Sequence, residues 1–279
     1  MFLDSLDPGL VASALGGVVG IVLALTGAGG GILAVPLLVF GLHLPMQQAA
    51  PIGLLAVGIA AALGAALGLR EGIVRYRAAT LIGITGMLLA PFGVWLAQHI
   101  PDAPLMVAFA GVLAWTAWRM LRQARRPAGP GSTVEISNPP ECRVAEAGGR
   151  LAWTLPCARA MALTGALSGT LSGLLGVGGG FVIVPSLTSH TNLDARSILA
   201  TSLAVIAMVS VGGVSAAALH GAITWHIARP FAAGAVVALL AGRLVAARVD
   251  SRHLRLAFAI LSLAVAALLL ARGLGVVTL

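Results

Sequence analysis

The sequence predicts an all-α polytopic membrane protein made of two inverted-topology repeats. Three observations lead there: an apolar composition with few charges, a glycine-rich motif that occurs twice, and an uneven placement of arginine between loops. Each repeat is expected to hold a Gly-rich broken or re-entrant helix hairpin plus three transmembrane helices.

Of 279 residues, 59% are hydrophobic and 9% are charged. Mean hydropathy is +1.01, whereas soluble domains are about 25% charged. Water cannot be the main solvent for such a chain. Apolar stretches at residues 48–69, 78–98, 104–121, 197–219, 228–247 and 254–271 approach or exceed the ~20 residues that a helix needs to cross the hydrocarbon core. The net charge is +8 and all seventeen basic residues are arginine. They stand in short runs between apolar segments, the pattern of membrane orientation, not in the continuous basic stripe with aromatics of a nucleic-acid face. Cys142 and Cys157 lie in the one long polar stretch at a spacing that matches no metal motif, and they read as two reduced cytosolic thiols. No metal and no cofactor is expected. The start MFLDSLD, with two acids and no base, does not read as a cleaved signal peptide.

The chain repeats itself. The segment from Gly27 to Pro36, GAGGGILAVP, returns from Gly176 to Pro185 as GVGGGFVIVP, an offset of 149 residues. The same offset pairs Gly16 with Gly165, Gly20 with Gly169, Leu54 with Leu203, Gly64 with Gly213 and Gly93 with Gly242, all without a gap. One duplicated unit explains a register held over such a length. It divides the chain into a first membrane repeat at 1–122, a linker rich in Pro, Gly and charge at 123–158, and a second membrane repeat at 159–279.

Arginine orients the copies. Arg70, Arg75 and Arg77 mark one cytoplasmic loop and Arg119, Arg122, Arg125 and Arg126 another, while the turn between them holds only Asp102. In the second copy the counterpart of that outside turn lies within the cluster Arg243, Arg248, Arg252 and Arg255, so it falls inside. Opposite orientation follows, as in many secondary transporters. Residues 9–43 and 160–190 must then each enter and leave on one side. The ~13 residues after each glycine run cover only ~20 Å, too short to span the core. Two tilted, kinked spans per hairpin remain the alternative.

Irregular backbone at membrane depth survives only against protein or a wet cavity. A triple glycine that opens a helix presents unpaired amides with the positive end of the helix dipole, which together attract anions. Two such tips from opposite faces would meet near the midplane, at a site lined by Gly29, Gly30, Gly31, Gly178, Gly179 and Gly180. Thr201, Ser202 and Ser172 are the hydroxyls expected to complete it. Pro36 and Pro185 read as structural kinks, and Gly16, Gly20, Gly165, Gly169 and Gly173 as helix-packing positions. The first copy has Ile52 and Gly53 where the second has Thr201 and Ser202, so the site should be asymmetric. A leucine at Gly179 is expected to abolish binding and leave the protein folded.

At GAGGGILAVPLL (27–38), GLLGVGGGFVIVPSL (173–187) and ATSLAV (200–205) the sequence resembles the sulfite exporter TauE/SafE family of membrane permeases. The resemblance covers residues from about 10 to 271. It implies roughly eight spans, a bacterial inner-membrane location, and organosulfur or sulfur-oxyanion substrates. Where the family pattern would place Ser-Leu in the first copy, this chain has Gly53-Leu54.

The expected function is therefore a secondary transporter for a small anion, with the lipid bilayer as surroundings, no nucleic-acid partner, and a homo-oligomer left open. An enzyme is not expected: HExxH, a paired membrane Asp, GxSxG, GxGxxG and Walker spacings are all missing. The alternatives are a noncatalytic membrane subunit that packs by its glycine faces, or a permease for an unrelated small anion.

Overall fold

The structure, a computed structural model, describes residues 7–26, 30–125, 142, 154–191, 193–246 and 251–273. Ten helices and no strand occur among them. In chain order they are α1 (Pro8–Thr26), α2 (Gly30–Gly41), α3 (Met46–Arg70), α4 (Tyr76–His99), α5 (Asp102–Arg125), α6 (Leu155–Leu175), α7 (Gly180–His190), α8 (Ala195–Leu219), α9 (Trp225–Ala246) and α10 (Ser251–Gly273). Five are long and apolar enough to cross a membrane: α1, α3, α4, α8 and α9 through Gly242. The six apolar stretches read from the sequence are α3, α4, α5, α8, α9 and α10.

The ends follow local chemistry. Pro156 sits at the start of α6 behind Thr154, whose hydroxyl accepts from the Cys157 amide at 3.4 Å. Asp194 caps α8 by accepting from the Ser197 amide at 3.2 Å. Hydrogen bonding to Ser197 holds the Asp194 carboxyl below the usual carboxylate range.

Contacts between helices repeat at the sequence offset. Gly16 and Gly20 of α1 abut the Phe231 and Ala235 carbonyls of α9. The counterparts Gly165 and Gly169 of α6 abut the Ile82 and Gly86 carbonyls of α4. Any Cβ at these glycines would strike main chain, so small residues set the helix separation. Residue numbers rise together along each pair, and the pairs are parallel. The counterparts α3 and α8 pack on each other in the opposite sense, with Leu54 on Gly213, Gly58 on Ser210, Gly64 on Leu203 and Gly68 on Ala200. α5 packs on α10, and α4 packs on α8 as extensively.

Loop contacts assign the ends of these helices to two faces. On one, Arg196 approaches Glu71 at 3.8 Å and the Arg75 amide donates to Thr201 Oγ1 at 3.1 Å. On the other, Gln47 Nε2 donates to the Ile100 carbonyl at 3.0 Å. Glu71 at the end of α3 and its counterpart His220 at the end of α8 thus lie on opposite faces, because α3 and α8 run antiparallel.

The cysteines correct the sequence reading. Cys142 and Cys157 form a disulfide rather than two free thiols. Their spacing of 15 residues carried no hint of proximity, because a polar stretch without periodicity does not fix which of its residues meet. The Cys142 amide also donates to the His190 carbonyl at 3.1 Å. The start of α6 and the end of α7 are therefore held side by side, on one face. With 11 and 12 residues, α7 and α2 are about 16 and 18 Å long, half a crossing rather than a whole one.

Candidate anion site at the helix breaks

The second break is built by three left-handed glycines. Gly176 ends α6 at φ 72°, Gly178 and Gly179 follow at φ 77° and 69°, and Gly180 begins α7. Residues with a Cβ resist this region of backbone space, which explains the composition of the run. The reversal leaves amides at the start of α7: those of Gly178, Gly179, Gly180 and Phe181 donate to no main-chain carbonyl among the described residues. All four residues are buried.

The depth of the break follows from its neighbours. Gly178 lies between Val57 and Ile206, at the centres of the 25-residue helices α3 and α8. Gly30 and Gly31, both buried, begin α2, and Gly31 abuts the carbonyl of Val177. The described parts of the two glycine runs thus touch at mid-depth. Gly29 lies outside the described residues. Pro36 and Pro185 stand inside α2 and α7, which continue through them.

The hydroxyls divide. Ser172, in the last turn of α6, is fully buried and its Oγ has no hydrogen-bond partner among the described residues. One turn earlier Ser168 Oγ donates to the Gly179 carbonyl at 3.3 Å, and one turn earlier again Thr164 pairs with Ser186 at 2.6 Å. Thr201 is placed elsewhere, holding the Arg75 amide near the loop, while Ser202 is buried and donates to the Leu199 carbonyl at 2.8 Å. Sequence reading missed Ser210, which is buried against Gly58 at the α3–α8 crossing with an Oγ that also lacks a partner. Its signal was a hydroxyl inside an apolar helix where the first copy has Ala61. Thr164, Ser168 and Ser172 likewise stand where the first copy has Leu15, Val19 and Leu23, so polarity is concentrated in the second half.

The structure also corrects the expectation for Gly179→Leu. A Cβ at Gly179 would collide with Ser168, and φ is positive, so leucine there would disturb the break itself.

Residues 12–269 match the profile of the family described as Sulfite exporter TauE/SafE. The chain belongs to this family. Relatives agree with the TauE/SafE assignment in kind. A probable membrane transporter protein of Xylella fastidiosa strain Temecula1 is 30% identical over 249 residues, 88% of each chain. Its equivalent in strain 9a5c is 29% identical over the same shares. A probable membrane transporter protein of Methanocaldococcus jannaschii is 26% identical over 205 residues, 72% of this chain and 68% of its own. No solved structure matches. The chain is a multi-pass membrane transporter of the TauE/SafE family.

Proposed function

We propose that this TauE/SafE protein is a secondary carrier for a small anion, a sulfur oxyanion or organosulfonate, bound at mid-depth by main-chain amides of the second helix break. One observation carries the reading: four buried amides, from Gly178 to Phe181, are left without main-chain acceptors among the described residues at the start of a helix. A buried N–H is costly to leave unpaired, and a helix N-terminus adds a favourable dipole for negative charge. The hydroxyl of Ser172 adds a donor, and Gly30 and Gly31 form the facing wall. The contact of Gly31 with Val177 makes this a closed state, which opens as the two hairpins part.

Two inverted repeats, at 1–122 and 159–279, fit the antiparallel packing of α3 on α8. A two-fold that relates antiparallel helices has its axis perpendicular to them, hence in the membrane plane. The arginine distribution sets the linker, 123–158, on the cytoplasmic face of the inner membrane, against the rarity of disulfides such as Cys142–Cys157 in that compartment. Single cysteines in a Cys142→Ser, Cys157→Ser background test the inversion. Glu71→Cys is expected to react with an impermeant maleimide only from the cytoplasmic side, and its counterpart His220→Cys only from outside. Labelling of both from one side would exclude inversion.

Transport is tested by flux of labelled sulfite, taurine and acetate into proteoliposomes that hold the purified chain. Saturable uptake of a sulfur anion is the expected result. A chain that moves none of them and co-purifies with a stoichiometric partner would instead be a noncatalytic subunit.

A further inference from the structure

A second feature lies outside the glycine breaks. A groove of about 650 Å³ runs between α6 and α7, with Trp115 of α5 at its side. Its polar end holds Arg159, Ser189 and His190, near the start of α6 and in the last turn of α7. The disulfide and the Cys142 amide bring those two helix ends to the same face, which places them at the level where a bilayer meets water. Leu163 and Leu167 follow Arg159 at one and two helical turns, deeper in the bilayer, and Val182 of α7 lines the groove with them. Leu163 is 64% and Leu167 59% exposed, so this apolar wall is open sideways.

Arg159 makes no hydrogen bond or ion pair with a described residue, and it is exposed at the groove's polar end. His190 Nδ1 lies 3.0 Å from Ser189 Oγ and accepts from it in the tautomer that carries the ring proton on Nε2, and Nε2 makes no hydrogen bond with a described residue. The first copy has Leu10, Phe40 and Gly41 at the positions of Arg159, Ser189 and His190. There the nearby cation, Arg272, is occupied by the Val39 carbonyl at 3.4 Å and the Phe40 ring at 5.8 Å.

We propose that this groove is a binding site for one anionic phospholipid, its phosphate on Arg159 and His190 and an acyl chain along Leu163, Leu167 and Val182. A cation at the interface above a lateral apolar wall matches both parts of such a molecule, and basic clefts between transmembrane helices bind acidic head groups. A free oxyanion would gain nothing from the leucines. The site would exist in one leaflet only, and it stands independently of what the glycine breaks bind.

The test is native mass spectrometry and thermal melting of the delipidated full chain, titrated with phosphatidylglycerol or phosphatidylcholine. Phosphatidylglycerol is expected to bind one per chain and raise the melting temperature, whereas phosphatidylcholine does neither. Arg159→Gln should weaken phosphatidylglycerol binding by about fivefold, given roughly 1 kcal/mol per basic residue near anionic lipid. Adding His190→Gln should weaken it further, and Arg159→Lys should restore most of it. Leu163→Gln tests the acyl wall separately and should lower affinity for long-chain but not short-chain lipid. Equal binding of both lipids, undiminished binding by the double variant, or displacement of the lipid by millimolar sulfite would each overturn the proposal.

Discussion

Replacing Ser172 with alanine is expected to weaken anion binding by roughly ten- to a hundredfold and leave the melting temperature unchanged or higher. A hydrogen bond to a charged group is worth about 1.5–3 kcal/mol, and Ser172 has a buried hydroxyl with nothing else to satisfy it. Removing an unpaired hydroxyl relieves the folded protein, because the desolvation cost of that group disappears with it. The two readouts therefore move apart, which a merely structural serine would not produce. Titration calorimetry with sulfite on wild type and Ser172→Ala, beside a thermal melt without anion, measures both. Unchanged affinity would remove Ser172 from the site and weaken the case for the break around it. Gly179→Leu is less informative, because its Cβ would meet Ser168 before any ligand is considered.

The second large effect concerns packing. Gly169→Val and Gly20→Val are each expected to destabilise the protein by about 1–3 kcal/mol or more, the cost of forcing extra carbon into a filled interface. At Gly169 the new side chain would strike the Gly86 carbonyl, and at Gly20 that of Ala235. Main chain cannot rotate aside, so the helices must separate. In lipid that forfeits van der Waals packing, which is a main source of helix association there. Gly111→Val is the control, since a Cβ at Gly111 meets nothing within 4 Å. Thermal unfolding in detergent should show similar losses at the two counterpart glycines and little at the control. Tolerance of Gly20→Val beside a large effect of Gly169→Val would show that the two interfaces are not equivalent.

The helices were legible because their determinants are local. A run of apolar residues such as 78–98, with Arg77 at one border and His99 and Asp102 at the other, becomes α4, and its structural limits, Tyr76 and His99, lie close by. The packing glycines were legible for a similar reason: an i, i+4 pattern places them on one helix face, where only another helix can cover them. The hydroxyls were harder. Thr201 and Ser202 are adjacent in sequence and equally buried, yet Thr201 holds the Arg75 amide and Ser202 bonds within its own helix. Nothing in the string ATSLAV separates those two outcomes, because the acceptor or donor of each lies on another part of the chain or turns on a rotamer.

By itself the amino-acid sequence determined the apolar solvent, six of the ten helices among the described residues, the glycine motif that occurs twice and the TauE/SafE family, since composition and short motifs depend on neighbours along the chain. Only the tertiary structure decided that Cys142 meets Cys157, that Gly31 lies on Val177, and that Ser172 and Ser210 are buried without hydrogen-bond partners among the described residues. Those facts depend on which surfaces meet between segments far apart along the chain or within a polar stretch, and hydrophobic pattern does not encode such encounters one by one.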